Sequence, residues 1–250
     1  MTESHSAKLL TFVVATYNEE SNICEFIESI PPSIAKYSIF HFQDGNSTDK
    51  TVPLICSAIK RRPHLDIHLN VENDFGIYDA WNKAIAICNT PWISFVGADD
   101  RFISLDYDLS LLLAVGNFNF ITFSGYYGTT PYGQALPPSL KLSSFIKGWK
   151  IMHQGSIYKA NIFKKFAFRT DFKICGDFQH LLAARDVIIS QHIPLILLHV
   201  GTQGISSQKS ALVATEASRS FLSIEDASPL KYLFAIFIYL YISVHSIIRR

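Results

Sequence analysis

The stretch from Trp92 to Asp100 constrains the fold more than any other part of this 250-residue chain. It is uncharged until it ends in two adjacent carboxylates, Asp99 and Asp100. A short apolar run of this kind, placed after Pro91, is typical of a strand buried on both faces of a sheet. Ligands of open α/β sheets bind outside the carboxyl ends of such strands, so the acidic pair is predicted to meet a polar ligand or a metal ion. A simple capping role for the two acids in the next turn is the alternative.

Composition and charge exclude several classes of protein. With 48% hydrophobic residues and a net charge of +1, the chain can bury one good-sized core, and it lacks the basic stripe of a general nucleic-acid binder. Its four cysteines are scattered and form neither a metal-ligand pair nor a disulfide framework, which favours a reducing compartment. The polar segment 1–8 lacks the apolar core of a signal peptide, so we expect a cytoplasmic location.

Strand and helix patterns alternate over residues 9–100. Apolar runs that favour strands are each followed by a short turn and then by apolar residues at helical spacing, as in 9–16 followed by 23–30. This alternation predicts an α/β fold with a doubly wound, mostly parallel sheet and right-handed crossovers. The acidic loops at Asp44, at 72–79 and at 99–100 should therefore gather along one edge of the sheet.

The pattern is looser after Asp100. Residues 125–138 are rich in Gly, Pro, Tyr and Thr and are predicted to form a loop that contributes to specificity. Residues 151–158 are predicted to form a strand, and so are residues 194–200.

The C-terminal tail is apolar and aromatic. No charge occurs from Tyr232 to Val244, while Lys231 precedes this run and Arg249 and Arg250 follow it. A full membrane span needs about 20 apolar residues, so this run is short for one. Aromatic residues with basic residues at both ends predict a helix over 230–248 that associates with a membrane interface. A helix packed on the domain or on a second subunit is the alternative, and the lack of a polar face counts against it.

The loops at the predicted sheet edge are acidic, and none is a glycine-rich phosphate-binding turn. No G-x-G-x-x-G or G-x-x-x-x-G-K-[ST] pattern follows a predicted strand, which argues against a dinucleotide oxidoreductase and a P-loop ATPase. Carboxylates repel a diphosphate unless a divalent cation lies between them. The acids therefore predict a nucleotide diphosphate bound through Mn2+ or Mg2+.

Four segments in order resemble the family 2 glycosyltransferases of the GT-A fold, and most of all the short bacterial members that build surface polysaccharides. They are residues 13–19 (VVATYNE), 44–51 (DGNSTDKT), 72–84 (ENDFGIYDAWNKA) and 97–100 (GADD). The resemblance implies a GT-A domain over 9–206, after a polar leader at 1–8. Within it, 9–100 is the nucleotide-sugar half and 101–206 is the acceptor half. A helical tail at 207–250 follows.

The resemblance also implies roles for residues at the strand ends. Asp44 matches the acid that binds the nucleotide base, and Thr16 and Glu19 match residues of the same nucleoside pocket. Asp99 matches the acid that faces the ribose and donor sugar, and Asp100 matches the metal ligand.

Asp79, Asn82 and Lys83 resemble the family's segment near the donor sugar and diphosphate. From the residues alone, Asp79 could instead cap its helix, and Lys83 could be a solvated surface side chain.

On the acceptor side, Asp177 matches the family's general base, and Asp171 is a less favoured rival. His153 and Gln154 could contact the acceptor or the diphosphate, although a lone histidine is more often structural. Residues 204–206 (GIS) resemble a segment that follows the last strand in this family, where we expect a mobile flap.

Together these features predict an inverting, metal-requiring transfer of one sugar from a nucleotide-diphosphate sugar to a lipid-linked glycan at the inner face of the cell membrane. The Gln-x-x-Arg-Trp pattern of processive synthases is missing, which favours single transfer. Two alternatives stay open, a sugar nucleotidyltransferase and a non-catalytic scaffold that binds sugar nucleotides. The acidic loop 16–20 argues against the former, which would need a glycine-rich basic loop there.

Overall fold

A computed structural model describes residues 7–103, 108–114, 116–133, 135–142, 144–147, 151–202, 210–225 and 229–248. The strands in these ranges are β1 (Leu10–Thr16), β2 (Ser38–Asp44), β3 (Ile67–Val71), β4 (Trp92–Val96), β5 (Arg101–Phe102), β6 (Phe120–Tyr127), β7 (Thr130–Tyr132), β8 (Ile157–Lys159) and β9 (Ser190–Val200). The helices are α1 (Ile23–Ser29), α2 (Pro32–Ala35), α3 (Thr51–Arg61), α4 (Ile77–Ile87), α5 (Leu109–Ala114), α6 (Ser144–Lys147), α7 (Gly176–Ala184), α8 (Ser210–Leu222) and α9 (Leu230–Ile248). A 3-10 turn covers Ala160–Ile162.

The strands form one sheet in the order β3-β2-β1-β4-β8-β6-β9-β5, with β7 paired to β6. The four strands β3, β2, β1 and β4 run parallel, and the register places Thr16 of β1 opposite Asp44 of β2. On the other side of β4, β8 runs antiparallel to both β4 and β6, while β6 and β9 are parallel. The predicted α/β fold is confirmed, and the acceptor half adds the antiparallel pairs.

The two faces of the sheet bury separate hydrophobic clusters. Successive side chains of a strand point to opposite faces, so Phe12 and Val13 of β1 belong to different clusters. Phe12 stacks on Phe40 at a centroid distance of 5.3 Å. On the opposite face, Trp81 of α4 packs on Phe95 of β4 at 4.5 Å. All five residues of β4 are buried, as expected for a strand covered on both faces.

The strand predicted over 151–158 is wrong for most of its length. Only Ile157–Lys159 is a strand, because a turn at Gly155 interrupts the extended chain. Gly155 has φ +75°, a left-handed conformation that glycine adopts without strain. Its amide donates to the carbonyl of Phe95, and the Ser156 amide donates to the carbonyl of His153. The last predicted strand is present but starts earlier, at Ser190.

The predicted C-terminal helix is present as α9 and packs against α8. Ala235 and Ile238 of α9 are buried, and Phe234 contacts Phe221 of α8 at a centroid distance of 6.0 Å. Within the described ranges, no helix has the length and apolar character needed to cross a membrane.

Candidate active site

The loops after β1 and β2 are joined by hydrogen bonds between side chains and backbone. The Asn18 amide donates to Ser47 Oγ at 2.9 Å, and the Thr48 amide donates to Asn18 Oδ1 at 2.9 Å. Asn18 and Asn46 have φ values of +57° and +66°, a conformation that asparagine tolerates better than most residues. The two loops therefore form one ordered edge.

Asp44 lies at the centre of this edge and has no solvent-exposed surface. Thr16 Oγ1 donates to Asp44 Oδ2 at 2.8 Å, while the Ser47 amide donates to Oδ1 and Ser47 Oγ to Oδ2, both at 2.7 Å. Charge-assisted bonds of this kind stabilise a carboxylate that burial would otherwise disfavour. Asp44 thus orders both loops, and a direct contact with a nucleotide base requires this enclosed carboxylate to become accessible.

Ser47 is a member of this site to which the sequence assigned no role. The spacing of Asp44 and Ser47, three residues apart in a loop, is typical of a side chain that caps a nearby backbone amide. That spacing is the signal that could have identified it.

The loop after β3 also reaches this edge. A Cβ atom placed on Gly45 would lie 2.6 Å from Asp74 Oδ2 and 3.4 Å from the Tyr17 ring. The loops after β1, β2 and β3 therefore converge at Gly45, where a larger residue would displace its neighbours. Tyr17 is 60% exposed and leaves an aromatic face open at this point.

Glu19 is half-buried beside the acidic pair. Burial raises the pKa of Glu19, a hydrogen bond from Asn22 opposes that change, and the charge of Asp99 raises the pKa further. The bond from Asn22 Nδ2 to Glu19 Oε2 measures 2.8 Å. The structure thus brings the predicted residues Glu19 and Asp99 into electrostatic contact.

Asp100 is held by backbone amides on both of its carboxylate oxygens. Oδ2 accepts the Gly97 amide at 2.7 Å, and Oδ1 accepts the Gly201 amide at 2.9 Å, which joins the end of β4 to the end of β9. Burial raises the pKa of Asp100 to about 7, although both amides lower it, and the charge of Asp99 adds to the rise. Asp99 is half-buried, and a Cβ on Gly201 would lie 1.9 Å from its Oδ2, so any larger residue there would displace the Asp99 side chain.

The chemistry of Asp99 and Asp100 fits a hard divalent cation that is shared with a substrate. No group of three or more His, Cys, Asp or Glu side chains that could hold a metal occurs among the described residues. Two adjacent carboxylates still supply the oxygen ligands that Mg2+ and Mn2+ use when phosphate oxygens complete the coordination. A cation would also favour the ionised form of Asp100, which burial disfavours.

Asp79 and Lys83, on α4, pair with each other. Their side chains are 3.2 Å apart, and Lys83 Nζ lies at the same distance from Glu72 Oε1. Asp79 Oδ2 also accepts the Phe75 amide at 3.1 Å, which closes the loop before α4. Within the described residues, Asp79 thus binds the loop before α4 and no amide of the helix itself, and donor contacts of both residues stay predictions.

Asn82 joins α4 to the segment that leads to α7. Its Nδ2 donates to the Phe168 carbonyl at 2.8 Å, and its Oδ1 accepts the Phe168 amide at 3.0 Å. Both the amino group and the oxygen of the Asn82 side chain thus have hydrogen-bond partners within the protein. The predicted donor contact of Asn82 stays a prediction.

Asp177 lies in the first turn of α7 and is half-buried. Its Oδ1 accepts the Phe178 amide at 2.8 Å and lies 3.2 Å from the Tyr78 hydroxyl, whose single proton is shared with the Ile174 carbonyl at 2.5 Å. Among the described residues, no donor occupies Oδ2. One oxygen is therefore fixed, while the other is open to a substrate.

The rival acid, Asp171, is exposed and paired with two arginines, Arg169 and Arg219. The hydrogen bond from Arg169 holds the pKa of Asp171 below its usual value. A carboxylate stabilised in this way is a weaker base, so the geometry favours Asp177.

His153 is buried close to Asp177. Burial lowers the pKa of His153, and the charge of Asp177 opposes this change. Nδ1 lies 3.1 Å from the Tyr158 hydroxyl, and Nε2 has no hydrogen-bond partner within the described part of the chain. Gln154 beside it is half-buried. The predicted flap at 204–206 lies outside the described residues.

Several solved structures share this fold. S. aureus TarS 1–349 in complex with UDP has a TM-score of 0.67 at 17% identity, covering 89% of this chain and 68% of that chain. A mannosyltransferase from Pyrobaculum calidifontis, PcManGT, in complex with GDP-Man and Mn2+, has a TM-score of 0.67 at 16% identity, covering 95% and 70%. At such identities the likeness shows the GT-A fold alone.

Sequence comparisons find the family. PGL/p-HBAD biosynthesis glycosyltransferases of Mycobacterium bovis and Mycobacterium tuberculosis are 28% identical over 107 residues, which cover 40% of this chain and 39% of theirs. The match thus spans about two-fifths of the length of those relatives. The profile described as Glycosyl transferase family 2 matches residues 11–175, which is well over half of the sequence. The chain therefore belongs to glycosyl transferase family 2.

Proposed function

We propose that this protein transfers one sugar from a nucleotide-diphosphate sugar to a hydroxyl group of a lipid-linked glycan in surface polysaccharide synthesis, with inversion at the anomeric carbon. The observation that carries the proposal is the convergence of acidic loops at one sheet edge, where Glu19 and Asp99 interact and Asp100 joins β4 to β9. Family membership and the UDP and GDP-Man bound by TarS and PcManGT support the choice of donor.

In the proposed donor site, Asp44 and Thr16 shape the nucleoside pocket by ordering the loops after β1 and β2. Glu19 lines the same pocket, and Asp99 faces the ribose and donor sugar. Lys83, together with Asp79 and Asn82 on the same helix, lies on the diphosphate side.

Asp100, with Asp99 beside it, would hold Mn2+ or Mg2+. When bound, the cation supplies positive charge for the departing diphosphate. The chain's own contribution is a rigid carboxylate, because the amides of Gly97 and Gly201 fix both oxygens of Asp100.

Asp177 is the proposed general base. As the acceptor oxygen attacks the anomeric carbon, the bond from that carbon to the diphosphate breaks and the acceptor proton passes to Oδ2 of Asp177. Oδ1 is occupied by Phe178 and Tyr78, whereas Oδ2 accepts no donor from the described residues. No covalent nucleophile is required, and His153 and Gln154 border the acceptor.

A lipid-linked acceptor is supported by the exposed face of α9. Five large side chains between positions 232 and 240 of this helix are 49% to 62% exposed, and they form the α9 apolar face: Tyr232, Leu233, Ile236, Phe237 and Leu240. Exposed apolar surface of this extent commonly marks a binding surface. Lys231 precedes the face in sequence, and Arg249 and Arg250 follow it. The positive charge of these flanking residues complements anionic lipid headgroups. The helix would lie on the inner face of the membrane and bring the cytoplasmic site to its acceptor.

A transfer assay tests the catalytic proposal. The protein would be incubated with Mn2+, a panel of uridine, guanosine and thymidine diphosphate sugars, and a bacterial lipid extract as acceptor. We expect acceptor-dependent release of one nucleoside diphosphate and a product whose anomeric configuration, read by NMR, is opposite to that of the donor. Donor binding without turnover would support the scaffold alternative, and a retained configuration would contradict inversion.

A vesicle flotation assay tests the membrane contact. We expect the protein to float with vesicles that contain anionic phospholipid, and a variant with Leu233, Ile236 and Phe237 changed to serine to remain in solution. Leu111→Ser on α5 is the matched control, because Leu111 is 62% exposed outside the α9 apolar face. A wild-type protein that ignores vesicles and forms a dimer broken by the triple substitution would assign the face to a second copy of the chain.

A further inference from the structure

We propose that Tyr78 and Glu216 are positioning residues that hold Ile174 by its two peptide groups and thereby fix the carboxylate of Asp177. The inference rests on the proposed function, in which Asp177 is the general base. Both residues come from helices other than the one that carries Asp177: Tyr78 lies on α4 and Glu216 on α8.

Glu216 binds three successive backbone amides. Its carboxylate accepts the amides of Lys173 at 2.8 Å, Ile174 at 2.8 Å and Cys175 at 2.9 Å. Glu216 is only 3% exposed, so these charge-assisted bonds lie in a water-poor environment, where they are strong. The segment directly before Asp177 is therefore tied to the C-terminal helical tail, beyond the part of the chain that matches the family profile.

Tyr78 holds the same segment from the opposite side. Its hydroxyl donates to the Ile174 carbonyl at 2.5 Å and lies 3.2 Å from Asp177 Oδ1. Its ring covers Gly176, where an added Cβ would lie 2.7 Å from the ring edge. Since the Ile174 amide is bound by Glu216 and its carbonyl by Tyr78, neither peptide group can rotate without losing a bond.

Lys173 adds a third link between these elements. Its Nζ donates to the carbonyl of Phe75 at 3.1 Å, three residues before Tyr78. The segment that carries Asp177 is thus joined once to the donor-side loop 72–76, through Lys173, and once to the helix that follows this loop, through Tyr78.

Tyr78 also determines which oxygen of Asp177 is free. The single hydroxyl proton is shared unequally, with the short bond to the Ile174 carbonyl and the longer contact to Oδ1, which also accepts the Phe178 amide, so Oδ2 is the oxygen left for the acceptor. Removing the phenol hydroxyl frees the Ile174 carbonyl and leaves the Phe178 amide as the one bond to Oδ1, so the segment and its carboxylate can then move. Misplacing a catalytic group by about 1 Å can cost on the order of 100-fold in rate. The expected loss is therefore in kcat and not in donor binding.

The first test is Tyr78→Phe, which removes one hydroxyl and keeps the ring that covers Gly176. We expect kcat to fall roughly 10-fold to 100-fold, while the dissociation constant of the donor, measured by calorimetry, stays within about twofold. Tyr37→Phe is the matched control, because the Tyr37 hydroxyl also donates to a carboxylate, that of Asp108, at 3.3 Å outside the site. An unchanged kcat in Tyr78→Phe, or a fall matched by an equal loss of donor affinity, would overturn the proposal.

The second test addresses Glu216 with two variants. Glu216→Gln replaces an acceptor oxygen with an amino group that faces backbone amides, and Glu216→Asp withdraws the charge by one methylene group. In a variant that keeps a cooperative melting transition, we expect the same loss of kcat with donor affinity retained. If neither variant folds, or if both keep the wild-type kcat, Glu216 is not a positioning residue.

Measuring Asp177→Asn in parallel distinguishes a failure of the proposed general base from a failure of the positioning role. A full rate in Asp177→Asn would overturn the proposed base itself. A full rate in Tyr78→Phe together with an inactive Asp177→Asn would overturn only the positioning role.

Discussion

The donor-side loops and the segment that carries Asp177 are ordered by contacts of different range. In the nucleoside part of the donor site, Ser47 binds Asp44 three residues away, and Thr16 binds it from the neighbouring strand. The acidic pair is intermediate, because Asp100 binds the Gly97 amide three residues away and the Gly201 amide 101 residues away. On the acceptor side, Tyr78 reaches Asp177 across 99 positions of the sequence. The loops after β1 and β2 can therefore form as soon as their strands pair, whereas the base is in place only after distant helices dock.

This difference predicts two kinds of mutational effect. Changes at the donor edge, which is formed by the loops after β1 and β2 around Asp44, should affect folding and nucleotide binding together. The same side chains order these loops and line the proposed nucleoside pocket. Changes around Asp177 should affect the rate of transfer while donor binding is retained. The predictions below test this division, beginning with the largest effect.

Asp177→Asn should lower kcat by on the order of 100-fold to 10,000-fold, because the amide cannot accept the acceptor proton. Nucleotide-induced stabilisation of the variant should match that of the wild type. Steady-state kinetics and melting curves with donor check the two statements.

The control for that variant is Asp171→Asn, which alters the exposed acid paired with Arg169 and Arg219. It should keep nearly the full rate. If Asp171→Asn lowers kcat and Asp177→Asn does not, Asp171 is the general base and the assignment to Asp177 is wrong.

Asp44→Ala should lower the free energy of unfolding by about 3 kcal/mol, because the Ser47 amide and the Thr16 hydroxyl lose their acceptor. The same variant should lose nucleotide-induced stabilisation. Ser47→Ala removes the hydroxyl bond to Asp44 and the acceptor of the Asn18 amide, and should cost about 2 kcal/mol. Urea unfolding measures both, and an Asp44→Ala protein as stable as the wild type would show that the donor edge is not ordered by Asp44.

His180→Phe should make the protein less sensitive to acid. His180 is buried against Phe163 and Phe168, at centroid distances of 5.1 and 4.6 Å, and burial lowers its pKa to about 3. The unfolded chain takes up the proton near pH 6.5, so the contribution of neutral His180 is present above that pH and is lost as the pH falls towards 3.

Between pH 7 and pH 5, the wild type should therefore lose about 2 kcal/mol more than the His180→Phe variant. Urea unfolding of both proteins at the two pH values measures the difference. Equal losses would show that His180 is not desolvated in the acceptor-side core.

Lys83→Met should give the smallest change in stability. Lys83 is half-buried between Glu72 and Asp79, and ion pairs that keep contact with solvent contribute little to folding. If Lys83 also contacts the diphosphate, KM for the donor should rise several-fold while the melting temperature hardly moves. Lys60→Met, at the exposed end of α3, is the control. An unchanged donor KM would leave Lys83 as a surface ion pair only.

The range of the contacts also explains what could be predicted from the sequence. Asp44, Asp99 and Asp100 follow buried strands, so their meeting at one sheet edge follows from the strand pattern and the rules of parallel connections. Their detailed geometry does not, since nothing in the sequence indicates that both oxygens of Asp100 bind backbone amides or that Asp44 is fully enclosed.

The acceptor side was less predictable for the same reason. Glu216 lies on a helix with no motif, and its three amide bonds depend on how α8 docks. The bonds of Asn82 to both backbone groups of Phe168 were not predicted, and its donor contact stays a prediction. The turn at Gly155 could not be predicted, because a single glycine in the sequence does not reveal a left-handed conformation.

The most direct test of the donor site is thermal stabilisation by nucleoside diphosphates, each with and without Mn2+, in the wild type and in Asp100→Asn. A nucleotide at one hundred times its dissociation constant should add about 2.7 kcal/mol to the stability of the wild type. We expect this stabilisation with the nucleotides of one base only, and only when Mn2+ is present. We expect Asp100→Asn to show none. No stabilisation by any nucleotide, or equal stabilisation of both proteins, would contradict a metal-dependent nucleotide-sugar site at this sheet edge.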